Sequence, residues 1–248
     1  MRKLYFLSML ACTCLSALKL TAQQPAKDSS IRAAAINNAI LQYQDYISFA
    51  APLYAGPQYT DYYLKLQEGH PFYLNTFFHV GSIMYDHILY ERIPMKYDIL
   101  QNRIVIEDAS GVFRLLPEYD KISYFTIQDH EFIKLIKDSS SPTLPKSGFY
   151  EVLYKNKNLT LLKKETKEVV EDLNSRSTIQ RNVITNINFY LRAGNSYRIF
   201  NKKKHVLALF KDKKTEIRQY IRKKNLDFNI DADNALISVV SYYQELTK

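Results

Sequence analysis

Apolar residues alternate with other residues at a period of two through the middle of the chain, between about residues 72 and 165. The alternation is clearest at 104–107, 122–127 and 150–155. It is typical of β-strands, because successive side chains of a strand point to opposite faces of the sheet. Short polar turns interrupt the pattern, and 139–148 is the longest clear loop. We therefore expect an antiparallel β meander that forms a curved sheet or a partial barrel.

Helical spacing of apolar residues appears on both sides of this β region. It predicts one helix over about 30–49, a helical stretch over 202–224 and a last helix for which Asp231 can be the N-cap. The inward positions of the last two are Leu207, Phe210, Ile217 and Ile221, then Leu236, Val239, Val240 and Tyr243. The charged stretch 165–182 has no apolar alternation, and we expect it to be exposed and compatible with a helix.

The order of these elements predicts an α+β fold. We expect an N-terminal helix, a long antiparallel β region and C-terminal helices within one structural unit over 23–248. Its β-rich core would cover about 72–200 and its helical part about 202–248. The chain has 248 residues with 46% hydrophobic and 24% charged residues, which is ordinary for a globular protein.

Glycine content excludes several nucleotide-binding and hydrolase motifs. The chain has only six glycines, and no two of them are closer than twelve positions. The glycine-rich dinucleotide-binding motif, the phosphate-binding P-loop and the nucleophile elbow of α/β-hydrolases all require closely spaced glycines. We therefore expect no nucleotide or dinucleotide cofactor bound by such a motif, and we predict no other cofactor.

The first 22 residues have the features of a secretory signal peptide. Arg2 and Lys3 precede an apolar run that extends to Leu18, and Ala22 precedes a polar stretch. We expect cleavage after Ala22 and export to the periplasm or the extracellular space, with an association with the cell envelope. A lipid anchor at Cys12 is disfavoured, because the residues before it match the anchoring pattern poorly. Both cysteines precede Ala22, so the mature protein would fold without disulfides.

Histidines and acids suggest no recognisable catalytic or metal-binding motif. No two of the five histidines are four residues apart, so a helical pair of histidine ligands is excluded. Asp129, His130 and Glu131 are consecutive and are interpreted as turn or surface residues. We therefore predict neither a catalytic residue nor a metal ligand. A hydrolase that uses dispersed Asp, Glu and His residues remains the alternative, and a His–carboxylate pair would favour it.

Two groups of residues are candidates for binding. The first is the tyrosine-rich stretch with its Gly-His-Pro corner, where Tyr54, Tyr59, His70 and Tyr73 could contact a sugar or a peptide. Packing of these tyrosines at a sheet edge, and a turn role for the histidine, are the competing interpretations.

The second group lies between residues 201 and 225, a segment that contains ten Lys and Arg residues and only two acids. The candidates are Lys202, Lys203, Lys204, Lys214, Arg218 and Arg222. An anionic envelope component or an acidic protein would fit this charge, whereas export disfavours nucleic acid. A merely solvated helix surface is the competing interpretation.

Several short motifs occur together: LYAGPQY at 53–59, GHPF at 69–72, Tyr97-Asp98 and GFYEVLY at 148–154. Together they resemble a family of exported bacterial envelope proteins to which no activity is attached. The resemblance implies a bacterial envelope setting and brings no catalytic residue or cofactor. We accordingly expect a non-catalytic protein that binds or scaffolds an envelope partner, with no membrane span after signal cleavage.

Overall fold

A computed structural model describes residues 30–36, 38, 39, 42, 51–61, 66–108, 110–140, 142–172, 180–200 and 203–247. By its internal contacts the chain divides into two units, Met1–Tyr46 and Ile47–Lys248. In the first unit the described residues, from 30 to 42, are helical and form α1, which agrees with the helix predicted there. The predicted signal peptide lies outside the described residues and stays a prediction.

The second unit is built on one antiparallel sheet, to which ten strands contribute among the described residues. The strands are β1 (His79–Tyr85), β2 (Ile88–Asp98), β3 (Arg103–Glu107), β4 (Arg114–Leu115), β5 (Ile122–Ile127), β6 (His130–Leu135), β7 (Gly148–Lys155), β8 (Leu159–Asp172), β9 (Gln180–Ala193) and β10 (Ser196–Phe200). Three α-helices follow among the described residues: α2 (Lys203–Leu209), α3 (Lys214–Lys223) and α4 (Ala232–Leu246). The α+β fold class and the β meander are thus confirmed. No described helix is both long enough and apolar enough to cross a membrane.

The sheet order is β10-β9-β8-β7-β6-β5-β1-β2-β3-β4, and the sheet does not close. Strands β1–β4 form one run of hairpins and β5–β10 form another, and β5 pairs with β1 rather than with β4. Turn chemistry supports the hairpins. Asp86 and His87, between β1 and β2, have φ of 49° and 65°, as a tight hairpin turn requires.

The stretch 165–182 corrects an expectation. Residues 165–172 continue β8 and residues 180–182 begin β9, and these two strands pair without interruption from Leu159–Ala193 to Asp172–Gln180. The helical interpretation is therefore wrong for the described residues. Charged side chains occupy both faces here, so the sequence carries no apolar alternation that would indicate a strand.

The two largest of four apolar clusters among the described residues hold the sheet and the helices together. The first cluster gathers side chains from β1–β7 and from the segment before β1, with Phe125 and Phe132 stacked at 4.6 Å between ring centroids. The second cluster joins β8–β10 to α2, α3 and α4. Within α4, Leu236, Val239 and Val240 are buried, and Asp231 accepts a hydrogen bond from the Asn234 amide as the N-cap. Tyr243 is half-buried against the same cluster, so the predicted inward face of α4 is observed.

Candidate functional site

Charged side chains occupy the sheet where the first apolar cluster gives way to the second. In the strand register, Glu151 of β7 lies opposite Phe132 of the first cluster and also opposite Lys163 of β8. Lys163 in turn lies opposite Phe189 of the second cluster. Two-residue spacing places Lys163, Glu165 and Lys167 on one face of β8. We use the name charged network for Glu151, Lys163, Glu165 and Lys167 together with their partners Tyr59, Tyr73, Asp98, His130 and Asp233.

Glu151 is only 3% exposed, and three side chains lie against its carboxylate, although its Oε2 is buried with an ion pair and no aligned hydrogen bond among the described residues. His130 Nδ1 lies 2.6 Å from its Oε1, Lys163 Nζ lies 3.3 Å from its Oε2, and the Tyr73 hydroxyl donates to the same carboxylate. Lys163 Nζ also donates to Asp233 Oδ2 of α4 at 2.7 Å. Burial works against the charge of Lys163, but the hydrogen bonds and charges of Asp233 and Glu151 outweigh it and raise the lysine pKa.

Further along β8, Lys167 anchors the Gly-His-Pro corner to the sheet. Its Nζ donates to the backbone carbonyls of His70 at 3.1 Å and Phe72 at 2.6 Å, and lies 3.8 Å from Glu165 Oε1. Burial raises the pKa of the Glu165 carboxyl and lowers the pKa of Lys167. Charge pairing therefore competes with desolvation at both groups.

Tyr59 and Asp98 form the last part of the charged network. The Tyr59 hydroxyl donates to Asp98 Oδ2 at 3.0 Å, and Asp98 Oδ1 accepts from the Gln101 amide at 2.9 Å. Burial, with the Asp98 charge, raises the pKa of Tyr59. Asp98 is fully buried, and its negative charge acts to raise the pKa of Lys167, against the effect of burial.

The structure brings two of the four candidates from the tyrosine-rich stretch, Tyr59 and Tyr73, into this network and places His70 beside it, where Lys167 donates to its backbone carbonyl. Tyr59 and Tyr73 are each 5% exposed, and their hydroxyls serve internal carboxylates. His70 is half-buried, and its buried Nδ1 has no hydrogen-bond partner among the described residues. Burial and the Lys167 charge lower its imidazole pKa. Tyr54 is half-buried against the first apolar cluster.

The basic candidates lie elsewhere, on the helices. Lys214, Arg218 and Arg222 are exposed on α3, whereas Ile217 and Ile221 of the same helix are buried. Lys202 lies outside the described residues. Lys203 and Lys204 belong to α2, and their side chains lie outside the described part. We call Lys214, Arg218 and Arg222 the cationic row.

Sequence reasoning missed the centre of the charged network. His130 is paired with Glu151, which lies 21 positions away, and not with its neighbours Asp129 or Glu131. A usable signal was present, because Glu151 stands within the otherwise apolar and aromatic run 149–154. A charge in a buried strand needs a partner, although the sequence does not say which one.

The network can hold a histidine in a fixed orientation. His130 Nδ1 is engaged by Glu151, and its ring packs edge-on against Tyr73 at 5.3 Å between centroids. The side chain is 34% exposed. Within the described part of the chain, no three His, Cys, Asp or Glu side chains come together to hold a metal ion.

Comparisons with protein-family models, with curated proteins and with solved structures found no match to this chain. Functional inference therefore rests on its own residues.

Proposed function

We propose that this is an exported envelope protein that binds an anionic component of the cell envelope through the cationic row of α3. The observation that carries the proposal is the exposure of Lys214, Arg218 and Arg222 without a nearby acid. Each is exposed, and none has an Asp or Glu oxygen within 4 Å among the described residues. The acid of α3, Glu216, lies beside Lys213 at 3.9 Å, off the row.

The spacing of the cationic row works against the isolated helix. Residues four apart on a helix are neighbours, and like charges there repel by about 0.2–0.5 kcal/mol per pair. The row contains two such pairs and extends about 12 Å along the helix at 1.5 Å per residue. An anionic surface laid along the row would turn this repulsion into attraction.

Packing fixes which side of α3 faces water. Ile217 and Ile221 are buried in the second apolar cluster, and Tyr220 stacks on Tyr242 of α4 with 4.1 Å between ring centroids. Because α3 cannot rotate without exposing these groups, the cationic row keeps its outward direction. A surface that is fixed before binding loses less entropy when a partner arrives.

Anionic lipid is the partner that best fits an exported protein with this row. Clusters of basic side chains are attracted to anionic lipid surfaces, and salt weakens the attraction over a screening length of about 8 Å at physiological ionic strength. An acidic protein would use the same charges but would also need a specific shape. Export, which stays a prediction, disfavours nucleic acid.

The test compares vesicles and charge-reversal variants. The wild type should sediment with vesicles that contain an anionic phospholipid, less so at high salt, and not with purely zwitterionic vesicles. Changing Lys214, Arg218 and Arg222 to Glu should abolish sedimentation. The matched control changes the exposed Lys137, Lys155 and Lys157 to Glu, which alters net charge equally and should retain binding. If both triple variants lost vesicle binding equally, net charge alone would explain the binding and the proposal would be overturned. Binding to an acidic protein without binding to vesicles would also overturn it.

The second candidate function is a hydrolase, and the His130–Glu151 pair favours it. A carboxylate that holds Nδ1 orients the imidazole and leaves Nε2 available as a general base. Wild type and His130→Gln should then differ by about a hundredfold or more on a cleaved ester, peptide or glycoside substrate, as expected for loss of a general base. A panel of such substrates with no turnover by the wild type would remove this candidate.

A further inference from the structure

A cavity of about 640 Å³ lies away from both the charged network and the cationic row. Its walls are the segment 52–57, Tyr85 at the end of β1, the start of β3 and the segment 116–121. This volume is within the range of small-molecule sites, about 300–1,000 Å³. Part of the LYAGPQY motif, residues 55–57, forms one wall.

The chain builds this wall in a rigid way. Leu116 donates its amide to the Pro57 carbonyl at 2.9 Å, and Tyr59 donates to the Arg114 carbonyl at 2.8 Å. Gly56 lies so close to the Leu116 carbonyl that a Cβ there would stand 1.9 Å from the oxygen, so only glycine fits. Pro52, Pro57 and Pro117 fix their own φ angles. Because this wall is already rigid, little conformational entropy would be lost there when a ligand binds.

The charged groups of the cavity are unequally engaged. Lys121 pairs with Glu118 at 2.7 Å, and Asp120 pairs with Lys134 at 3.2 Å. Arg103 is exposed, and no carboxylate lies within 4 Å of it among the described residues. Its guanidinium carbon lies 5.4 Å from the centroid of the Tyr119 ring. Among the charged side chains that line the cavity, Arg103 is therefore the one without an oppositely charged partner in the described part of the chain.

Tyr119, beside that guanidinium, is held from several sides. Its hydroxyl accepts from Asn102 Nδ2 at 3.1 Å, its backbone carbonyl accepts from Lys134 Nζ at 2.8 Å, and its ring packs edge-on against Phe149. Tyr119 therefore offers a fixed aromatic wall next to Arg103. The other apolar surfaces of the cavity come from Tyr85, Leu116, Ala55 and the three prolines.

We propose that this cavity binds an acidic sugar, a hydroxylated ring that carries a carboxylate. A guanidinium recognises a carboxylate with two parallel hydrogen bonds. Tyrosine and proline surfaces suit the apolar face of a sugar ring. Glu118 and Asp120, which each pair with a lysine through one oxygen, keep a second oxygen that can accept a hydrogen bond from a hydroxyl group, and so can the side-chain amide of Gln101.

The experiment is ligand-observed NMR with D-glucuronate, using D-glucose and benzoate as matched probes. Glucose keeps the ring and hydroxyls but lacks the carboxylate, and benzoate keeps the carboxylate but lacks the hydroxyls. We expect glucuronate to bind at least tenfold more tightly than either. Arg103→Gln should weaken glucuronate at least tenfold, Arg103→Lys should weaken it less, and the control Arg198→Gln on β10 should bind as the wild type does.

Two results would overturn the inference: equal binding of glucuronate by wild type and Arg103→Gln, or benzoate binding as tightly as glucuronate. Near-ultraviolet circular dichroism of each variant shows whether the aromatic packing around Tyr119 is intact. The triple charge reversal on α3 should leave glucuronate binding unchanged, so this site and the lipid-binding proposal succeed or fail separately.

Discussion

In the charged network, Glu151 and Glu165 each lie within 4 Å of a lysine ammonium, and the tyrosine hydroxyls of the network donate to carboxylates. On α3, three exposed cations follow one another at four-residue spacing, and no described Asp or Glu oxygen lies within 4 Å of them. Burial explains the first arrangement, because an unpaired charge away from water is costly. On α3 the cations are hydrated by solvent, so they do not need an acidic partner to avoid the desolvation cost. The buried charges therefore serve stability, and the exposed cations are the better guide to a partner.

The strongest test of this comparison removes the centre of the network. Glu151→Ala would leave the buried Lys163 with Asp233 alone and would leave the Tyr73 hydroxyl without its acceptor. Breaking a buried pair costs about 3–5 kcal/mol, so urea denaturation should show a loss of that size. The control is Glu171→Ala, which removes an exposed partner of Arg181 and should cost less than about 1 kcal/mol. Equal losses would mean that burial does not distinguish the two pairs.

Lys164 sharpens the comparison, because it is a buried cation without an acid among the described residues. Its Nζ donates to the Phe149 carbonyl at 2.7 Å and lies 4.7 Å from the centroid of the Tyr150 ring. Burial, with the charge of Lys146, lowers its pKa to about 8. Above that pH the unfolded chain still holds the proton that the folded protein has released, so stability should rise with pH.

The measurement for Lys164 is the free energy of unfolding at pH 8 and pH 10. The wild type should gain about 2–3 kcal/mol relative to Lys164→Met over this interval, given 1.36 kcal/mol per pH unit. Comparison with the variant cancels the groups that titrate in both proteins, among them the buried tyrosines. Parallel pH profiles for the two proteins would show that Lys164 has an ordinary pKa.

A third test asks whether apolar packing or the Lys163–Asp233 pair holds α4 on the sheet. Val240 is 1% exposed, and Val240→Ala should cost about 1–3 kcal/mol in lost burial and cavity formation. Asp233 is 34% exposed, so solvent screening should keep the cost of Asp233→Asn below about 1 kcal/mol. Ile230→Ala, at an 86% exposed position, is the neutral control. If Asp233→Asn cost more than Val240→Ala, the charge pair would be the main attachment.

The sequence predicted those parts of the fold that follow from the local pattern of apolar and polar residues within one segment. Period-two alternation indicated β3, β5 and β7, and helical spacing with Asp231 as N-cap indicated α4. The pairing of β5 with β1 was out of reach, because it joins segments about 40 residues apart that carry no complementary signal. Only the distal part of the β8–β9 pair, where residues 165–172 pair with residues 180–187, was missed, because its charged side chains lie on both faces.

The candidate site divides in the same way. Exposure of Lys214, Arg218 and Arg222 could be predicted, since Ile217 and Ile221 set the inward side of α3. The partners of Tyr59 and Tyr73 could not, because Asp98 and Glu151 are 39 and 78 positions away in the sequence. The segment before β1 brings them together, because its backbone is hydrogen-bonded to the sheet where Tyr59 N donates to the Arg114 carbonyl and Tyr73 N donates to the Tyr97 carbonyl, each at 2.8 Å.

The smallest expected effect concerns the cationic row itself. Arg218 lies four residues from both Lys214 and Arg222, so Arg218→Gln removes two repulsive pairs while keeping a similar helix propensity. We expect the free energy of unfolding to rise by about 0.5 kcal/mol at low salt, from two pairs at 0.2–0.5 kcal/mol each. The gain should vanish near 1 M salt, where the screening length is about 3 Å. Lys155→Gln, at the exposed end of β7, should change stability at neither salt concentration. A loss of stability in Arg218→Gln at low salt would show that the arginine has a stabilising partner, and the row would then no longer be a surface left uncompensated for binding.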